Sequence, residues 1–206
     1  MKISELTPYK SNLIYKKAKK KFPPVGSRDE LGTEWNYGRN NALITFSKYL
    51  KKKGFKELGQ GSFGATFTHP QYPWVFKLFY NDPSYFKFFE FVRANQGNPY
   101  LPKIKGKYIK IAKGVYVVRL EKLDYINRDN PKHKMFKDAV EDIYSPATIK
   151  NRAIRLKKVD PLLYDTLMKI NKIRGKGDQL DLHFGNFLFR GDTGVIIDPI
   201  YNPSLH

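Results

Sequence analysis

Asp181-Leu182-His183-Phe184-Gly185-Asn186, followed by Val195-Ile196-Ile197-Asp198, is the stretch around which the rest of the chain can be read. Asp181 and Asn186 stand five positions apart, and Asp198 comes twelve positions later at the end of an apolar run. Gly191-Asp192-Thr193-Gly194 between them has the composition of a hairpin turn. Phe187 to Phe189 and Val195 to Ile197 then read as two short strands. Asn186 and Asp198 fall at adjacent strand ends, with Asp181 on the loop leading in. Two carboxylates and one amide oxygen are therefore expected around one small volume. Oxygen donors of this kind suit Mg²⁺, which keeps several waters and takes one or two carboxylates plus phosphate. The third group is left to orient an attacking hydroxyl.

The chain has 206 residues, enough for one globular domain or a small two-lobed one. It has no cysteine, which excludes disulfides, thiolate metal sites and a cysteine nucleophile and fits a reducing cytoplasm. No apolar run reaches membrane-spanning length, and Met1 to Leu6 lacks the apolar segment of a signal peptide. A cytoplasmic protein without a membrane partner is expected. The net charge is +19, and it is uneven: residues 1–58 carry fourteen Lys/Arg against five Asp/Glu. Such a surface attracts nucleic acid, nucleotides or acidic proteins, and the plainer alternative is a set of solvated lysine faces. Lys16-Lys17-Ala18-Lys19-Lys20-Lys21, then Phe22-Pro23-Pro24, reads as a basic arm and a linker. It is either an anchor for an acidic partner or a partly ordered extension.

Residues 28–53 have helical spacing at Leu43, Ile44, Phe46 and Leu50, with Gly54 placed to cap the helix. A strand then enters Gly59-Gln60-Gly61-Ser62-Phe63-Gly64 and returns through Ala65 to Thr68. Glycines at this spacing let a turn approach a phosphate chain with its backbone amides. A dinucleotide-binding loop would run into a helix with an acid about twenty positions on. This one runs into a strand, as in the glycine-rich hairpins that cover nucleotide phosphates in kinases. Trp74 to Phe79 is a strand holding one lysine, Lys77, which needs an anionic partner if buried. Asp82-Pro83 opens a helix with a stripe of Tyr85, Phe88, Phe89 and Val92. Glu90 in that helix is the candidate partner for Lys77; the alternative pairs Glu90 with Lys87 or Arg93. Strands are expected over 107–111 and 115–120, and helices over 131–152 and 155–174.

The order of parts resembles that of the protein kinase-like superfamily: glycine hairpin, strand lysine, helix glutamate, helices, Asp-x-x-x-x-Asn, hairpin, aspartate. Gly54-Phe55-Lys56-x-Leu58-Gly59-x-Gly61, Thr68-His69-Pro70, Leu101-Pro102-Lys103-Ile104 and Asp198-Pro199 resemble the early serine/threonine protein kinases of short-tailed bacteriophages related to T7. Asp181-Leu182-His183-x-Gly185-Asn186 is also similar to the catalytic loop of aminoglycoside phosphotransferases. Ile196 to Pro199 is similar to fructosamine kinases, which like the aminoglycoside enzymes act on small molecules. The resemblance implies an α+β, two-lobed kinase-like fold. It would comprise a basic extension with a helix over 1–54, an antiparallel-sheet N-lobe over 55–120 and a reduced, mainly helical C-lobe over 121–206. It implies ATP and Mg²⁺ as cofactors. Gly59, Gly61, Ser62, Phe63 and Gly64 would lie over the phosphates, and Lys77 would contact them, held by Glu90. Asp181 would be the catalytic base, and Asn186 and Asp198 the metal ligands. The implied substrates are proteins of the host transcription and translation machinery, with host RNA polymerase a candidate partner, and the implied place is the host cytoplasm. Beside it stand a small-molecule phosphotransferase and a basic pseudokinase acting as a binding module. The departures include Thr66 in place of the glycine-loop valine, Gln179 in place of a common scaffold histidine, His183 in place of lysine, and Asp198-Pro199-Ile200 in place of Asp-Phe-Gly. His183 is either a packing histidine or a γ-phosphate contact.

Overall fold

Leu43, Phe46 and Leu50 recur at helical spacing in a segment whose other face carries lysines, and α1 (Asn41–Lys52) forms there. The computed structural model describes residues 41–61, 64–112, 114–144 and 156–205. The basic arm, residues 28–40 of the expected first helix, and Ser62 and Phe63 lie outside these. The chain divides into two compact units, residues 1–82 with 105–120 and residues 83–104 with 121–206. Both contain helix and strand, and the class is α+β. Among the described residues no helix is long and apolar enough to cross a membrane.

In the first unit β1 (Lys56–Gly61), β2 (Gly64–Thr68), β3 (Trp74–Tyr80), β4 (Ile109–Ala112) and β5 (Val115–Glu121) form one sheet in the order β1-β2-β3-β5-β4. The pairs β1–β2, β2–β3 and β4–β5 are antiparallel. Phe67, Phe76, Leu78, Val115 and Val117 share one buried cluster with Leu43, Phe46 and Leu50 of α1. The segment expected as part of a basic extension is thus a structural layer of the sheet. Strand residues alternate between faces. Lys77, between Phe76 and Leu78, therefore faces away from α1, and so does its register partner Thr66. Gly54 ends α1 with a φ of +84°, as its position predicts. The β1–β2 register slips by one residue between Glu57 and Gly59, a bulge at the entry to the glycine segment.

The second unit holds α2 (Pro83–Ala94), α3 (Pro131–Tyr144) and α4 (Pro161–Ile173). It also holds two small ribbons, β6 (Gln179–Leu180) with β9 (Ile200–Tyr201), and β7 (Phe187–Arg190) with β8 (Thr193–Ile196). Tyr85, Phe88, Phe89 and Val92 of α2 are buried, and the helix contacts α4 and β9. Asp160 caps α4, its carboxylate accepting from the Leu163 N–H at 2.9 Å, with Pro161 at the first helical position. The β7–β8 turn is two residues, Gly191-Asp192, since Arg190 already pairs with Thr193. Thr193 and Gly194, expected in the turn, belong to β8. Gly194 sits under the Phe136 ring of α3, which lies 2.3 Å from where a Cβ would be.

Candidate active site

Asp181 follows β6 directly, and Asp198 precedes β9 by two residues. The Asp181 N–H donates to the Pro199 carbonyl at 2.8 Å, and the Ile197 N–H donates to the Asn186 carbonyl at 2.9 Å. Asp198, between Ile197 and Pro199, is therefore flanked by one backbone bond to Asp181 and one to Asn186. Two ribbons and two hydrogen bonds converge on one place, and the three residues singled out by spacing are brought together there. Leu182, 1% exposed, anchors the loop from below while His183, Phe184 and Gly185 stay at the surface.

The loop between Asp181 and Asn186 closes on itself. Asn186 donates its backbone N–H to the His183 carbonyl at 2.9 Å and its Nδ2 to the Asp181 carbonyl at 2.8 Å. A carbonyl can only accept, so the amide nitrogen faces Asp181 and the Oδ1 is turned away from it. His183 Nδ1 accepts from the Gly185 N–H at 3.0 Å. The imidazole hydrogen then sits on Nε2, which lies 3.5 Å from an Asp181 carboxylate oxygen. His183 is thus a neighbour of the candidate base, half exposed. Gly185 is required for this ring position: a Cβ there would meet the ring at 2.7 Å.

Asn186 and Asp198 offer an amide oxygen and a carboxylate on neighbouring segments. That donor set fits Mg²⁺, which accepts few protein oxygens when phosphate supplies the others. Among the described residues no group of three His, Cys, Asp or Glu is placed to hold a metal, so a site of the zinc type is not formed by them.

In the first unit the connection of the glycine hairpin is two residues long, since Gly61 pairs with Gly64. Gly59 and Gly61 are exposed. A Cβ on Gly61 would meet nothing within 4 Å, whereas one on Gly64 would lie 2.0 Å from the Leu78 carbonyl oxygen of β3. The two glycines have different reasons to be glycine, open approach for one and close strand packing for the other. Lys77 is half-buried on the sheet face away from α1. Glu90 belongs to the second unit, is exposed, and is bound by both oxygens to Arg93 Nη1 at 2.8 and 3.0 Å. That is one of the two alternative pairings its sequence neighbours allow.

Asp178 escapes sequence reading altogether. It is 6% exposed and accepts four hydrogen bonds. Ser84 Oγ and Asn202 Nδ2 reach Oδ1, each at 2.9 Å; Lys87 Nζ at 2.9 Å and the Gly175 N–H at 2.6 Å reach Oδ2. Burial pushes its carboxyl up, but the Lys87 ammonium and the Gly175, Ser84 and Asn202 donors outweigh burial and hold it below the usual carboxylate range. A Cβ at Gly175 would lie 2.1 Å from Lys87 Nζ and 2.9 Å from Asp178 Oδ2, so a side chain there would displace the Lys87–Asp178 contact. The only advance signal is the Gly175-x-Gly177-Asp178 run; the partners are 91 to 94 positions away in α2 and 24 away near the end of the chain.

A family model described as "Bacteriophage T7 protein kinase 0.7" matches residues 27–203. No curated protein matches the chain. The match takes in the glycine hairpin, Lys77, the Asp181–Asn186 loop and Asp198. Spanning most of the sequence, it places this chain in the bacteriophage T7 protein kinase 0.7 family, a family of phage protein kinases.

Proposed function

We propose that the protein transfers the γ-phosphoryl group of ATP to serine and threonine hydroxyls of host proteins, and that its fold is of the two-lobed kinase type. The observation that carries this reading is the knot joining Asp181, Asn186 and Asp198 through the Asp181–Pro199 and Ile197–Asn186 backbone bonds. Bound Mg²⁺ would neutralise phosphate charge as it develops, and Asn186 and Asp198 would hold it. Asp181 orients the acceptor hydroxyl and receives its proton as the oxygen forms its bond to the γ-phosphorus; the bond from that phosphorus to the bridging oxygen of ADP breaks. Gly59, Gly61 and Gly64 present backbone amides to the phosphates, and Lys77 balances their charge. Positioning and charge stabilisation supply most of the rate in such a reaction. His183 Nε2, 3.5 Å from the Asp181 carboxylate, helps hold that carboxylate in place.

Charge supports an acidic or nucleic-acid-associated protein as acceptor. The first unit carries twenty Lys/Arg against six Asp/Glu, the second eighteen against thirteen. Most of the +19 therefore sits in the unit with the glycine hairpin, which favours partners such as the host transcription machinery in the host cytoplasm. The test is transfer from γ-labelled ATP in a host lysate, followed by separation of proteins from small molecules. Label on serine and threonine of lysate proteins supports the reading. Label only on small molecules, or ATP turnover stimulated only by an amine or sugar, would replace it with a small-molecule phosphotransferase.

A further inference from the structure

The two segments bearing Asp181 and Asp198 form one short antiparallel ladder. Leu180 pairs with Ile200 and Gln179 with Tyr201. At the inner end the Asp181 N–H bonds the Pro199 carbonyl. At the outer end the next pair in the same register is Asp178 with Asn202, and here the bond is made by side chains, Nδ2 to Oδ1 at 2.9 Å. The main-chain pairing is only two residues long on each strand. A ribbon of that length is not stable by itself.

We propose that Asp178 and Asn202 are positioning residues that clamp the outer end of this ladder and so fix where Asp181 stands relative to Asp198. The proposal rests on the phosphoryl-transfer reading of those two aspartates. Four features indicate a built clamp rather than an incidental contact. Asp178 is buried and all its donors come from fixed elements: Ser84 and Lys87 from α2, Gly175 from the preceding turn, Asn202 from the returning strand. A side chain at Gly175 would displace the Lys87 ammonium from Asp178, its Cβ falling 2.1 Å from Nζ. Gly177 takes a φ of +85°, which delivers Asp178 into register at a conformation that disfavours other residues. Asn202 is itself oriented, because its Oδ1 accepts from the Ser204 N–H at 3.0 Å and leaves the Nδ2 for Asp178. An error at the clamp is carried along two pairs of residues to the carboxylates, and small misplacements of reacting groups cost large factors in rate.

Asn202→Ala and Ser84→Ala test this as a matched pair. Each removes one 2.9 Å bond to the same Oδ1 and leaves Lys87 and Gly175 in place, so a purely stabilising role predicts equal effects. The clamp predicts unequal ones. In Asn202→Ala, hydrogen–deuterium exchange at the Asp181 amide speeds up on the order of tenfold, the factor that loss of one charged hydrogen bond gives. Turnover per folded molecule falls by a similar factor, and more Mg²⁺ is needed for half-maximal rate. In Ser84→Ala the melting temperature drops, while Asp181 exchange and turnover stay within about twofold of wild type. Unchanged Asp181 exchange in Asn202→Ala, or equal acceleration in both variants, overturns the clamp. A wild-type protein that transfers no phosphoryl group, with the two variants still differing in Asp181 exchange, overturns instead the assignment of Asp181 as base and leaves the ladder standing.

Discussion

Substituting Gly61 and Gly64 one at a time separates binding from folding within a single loop. At Gly64 an alanine Cβ would lie 2.0 Å from the Leu78 carbonyl oxygen and 3.0 Å from its carbon, both backbone atoms of β3. An ordinary contact is at least 3.4 Å, so the strands must part by over an ångström or the side chain must displace a carbonyl. Gly64 pairs with Phe79, and Phe79 and Leu78 are both buried, so no side chain can relax to absorb the change. Breaking one or two ladder hydrogen bonds and leaving their groups unsatisfied costs about 1–3 kcal/mol each. A loss of roughly 3 kcal/mol corresponds to about 6–12 °C in melting temperature for a chain of this size. At Gly61 the Cβ meets nothing, its φ is not in the left-handed region, and the change in stability should stay within ~0.5 kcal/mol. Its effect should fall on ATP, raising the KM several-fold because a methyl group stands where phosphate approaches the backbone. Thermal melting and ATP titration of the two variants suffice. A Gly64→Ala protein that melts with wild type refutes the close-packing argument. A Gly61→Ala protein with an unchanged KM for ATP refutes the phosphate role of the loop.

Other outcomes follow from the same geometry. Asn186→Ala removes both the candidate metal oxygen and the Nδ2 bond to the Asp181 carbonyl, and should raise the Mg²⁺ requirement roughly 10–100-fold; an unaltered Mg²⁺ titration would contradict it. Glu90→Ala should lower stability to urea by no more than ~0.5 kcal/mol, since an exposed Glu–Arg pair three residues apart on a helix contributes little. A loss above 2 kcal/mol would mean that Glu90 has a second, stronger partner. The Asp178 carboxyl is held below its ordinary value in the folded protein, so its contribution is full above the unfolded pKa near 4 and fades as pH falls through the folded value. The stability gap between wild type and Asp178→Asn should therefore be widest near pH 6 and narrow on acidification toward pH 3. A gap that widens instead would reverse the sign assigned to that group.

The separate elements of the candidate site could be read from spacing because their signals are local. The glycine hairpin, the Asp181–Asn186 interval and the apolar run into Asp198 each lie within twenty residues, and turn and strand chemistry shapes each one. The apolar face of α1 was legible from Leu43, Phe46 and Leu50, but not the sheet it covers, because helical spacing does not name the surface a face packs on. The packing partners of α2 were hidden for the same reason. An amphipathic stripe says that a helix is buried on one side, but it does not say against what, and Ser84 and Lys87 are drawn to a carboxylate more than ninety residues away. The Glu90–Arg93 pair was legible as one of the local pairings the sequence offered beside Lys77, since Arg93 stands one helical turn on. His183 lay between packing and phosphate contact. Its Nδ1 bond to Gly185 and its place beside Asp181 give it a third role, and the signal was the glycine two positions on.

The central claim is that Asp181 takes the proton of the acceptor hydroxyl. Single-turnover transfer from γ-labelled ATP to host protein, with wild type and Asp181→Ala compared at equal nucleotide occupancy, tests it most directly. The account predicts a rate at least 10²-fold lower in the variant, the size expected for a positioned general base, with melting temperature and ATP affinity little changed. Transfer by the Asp181→Ala protein at the wild-type rate would contradict it.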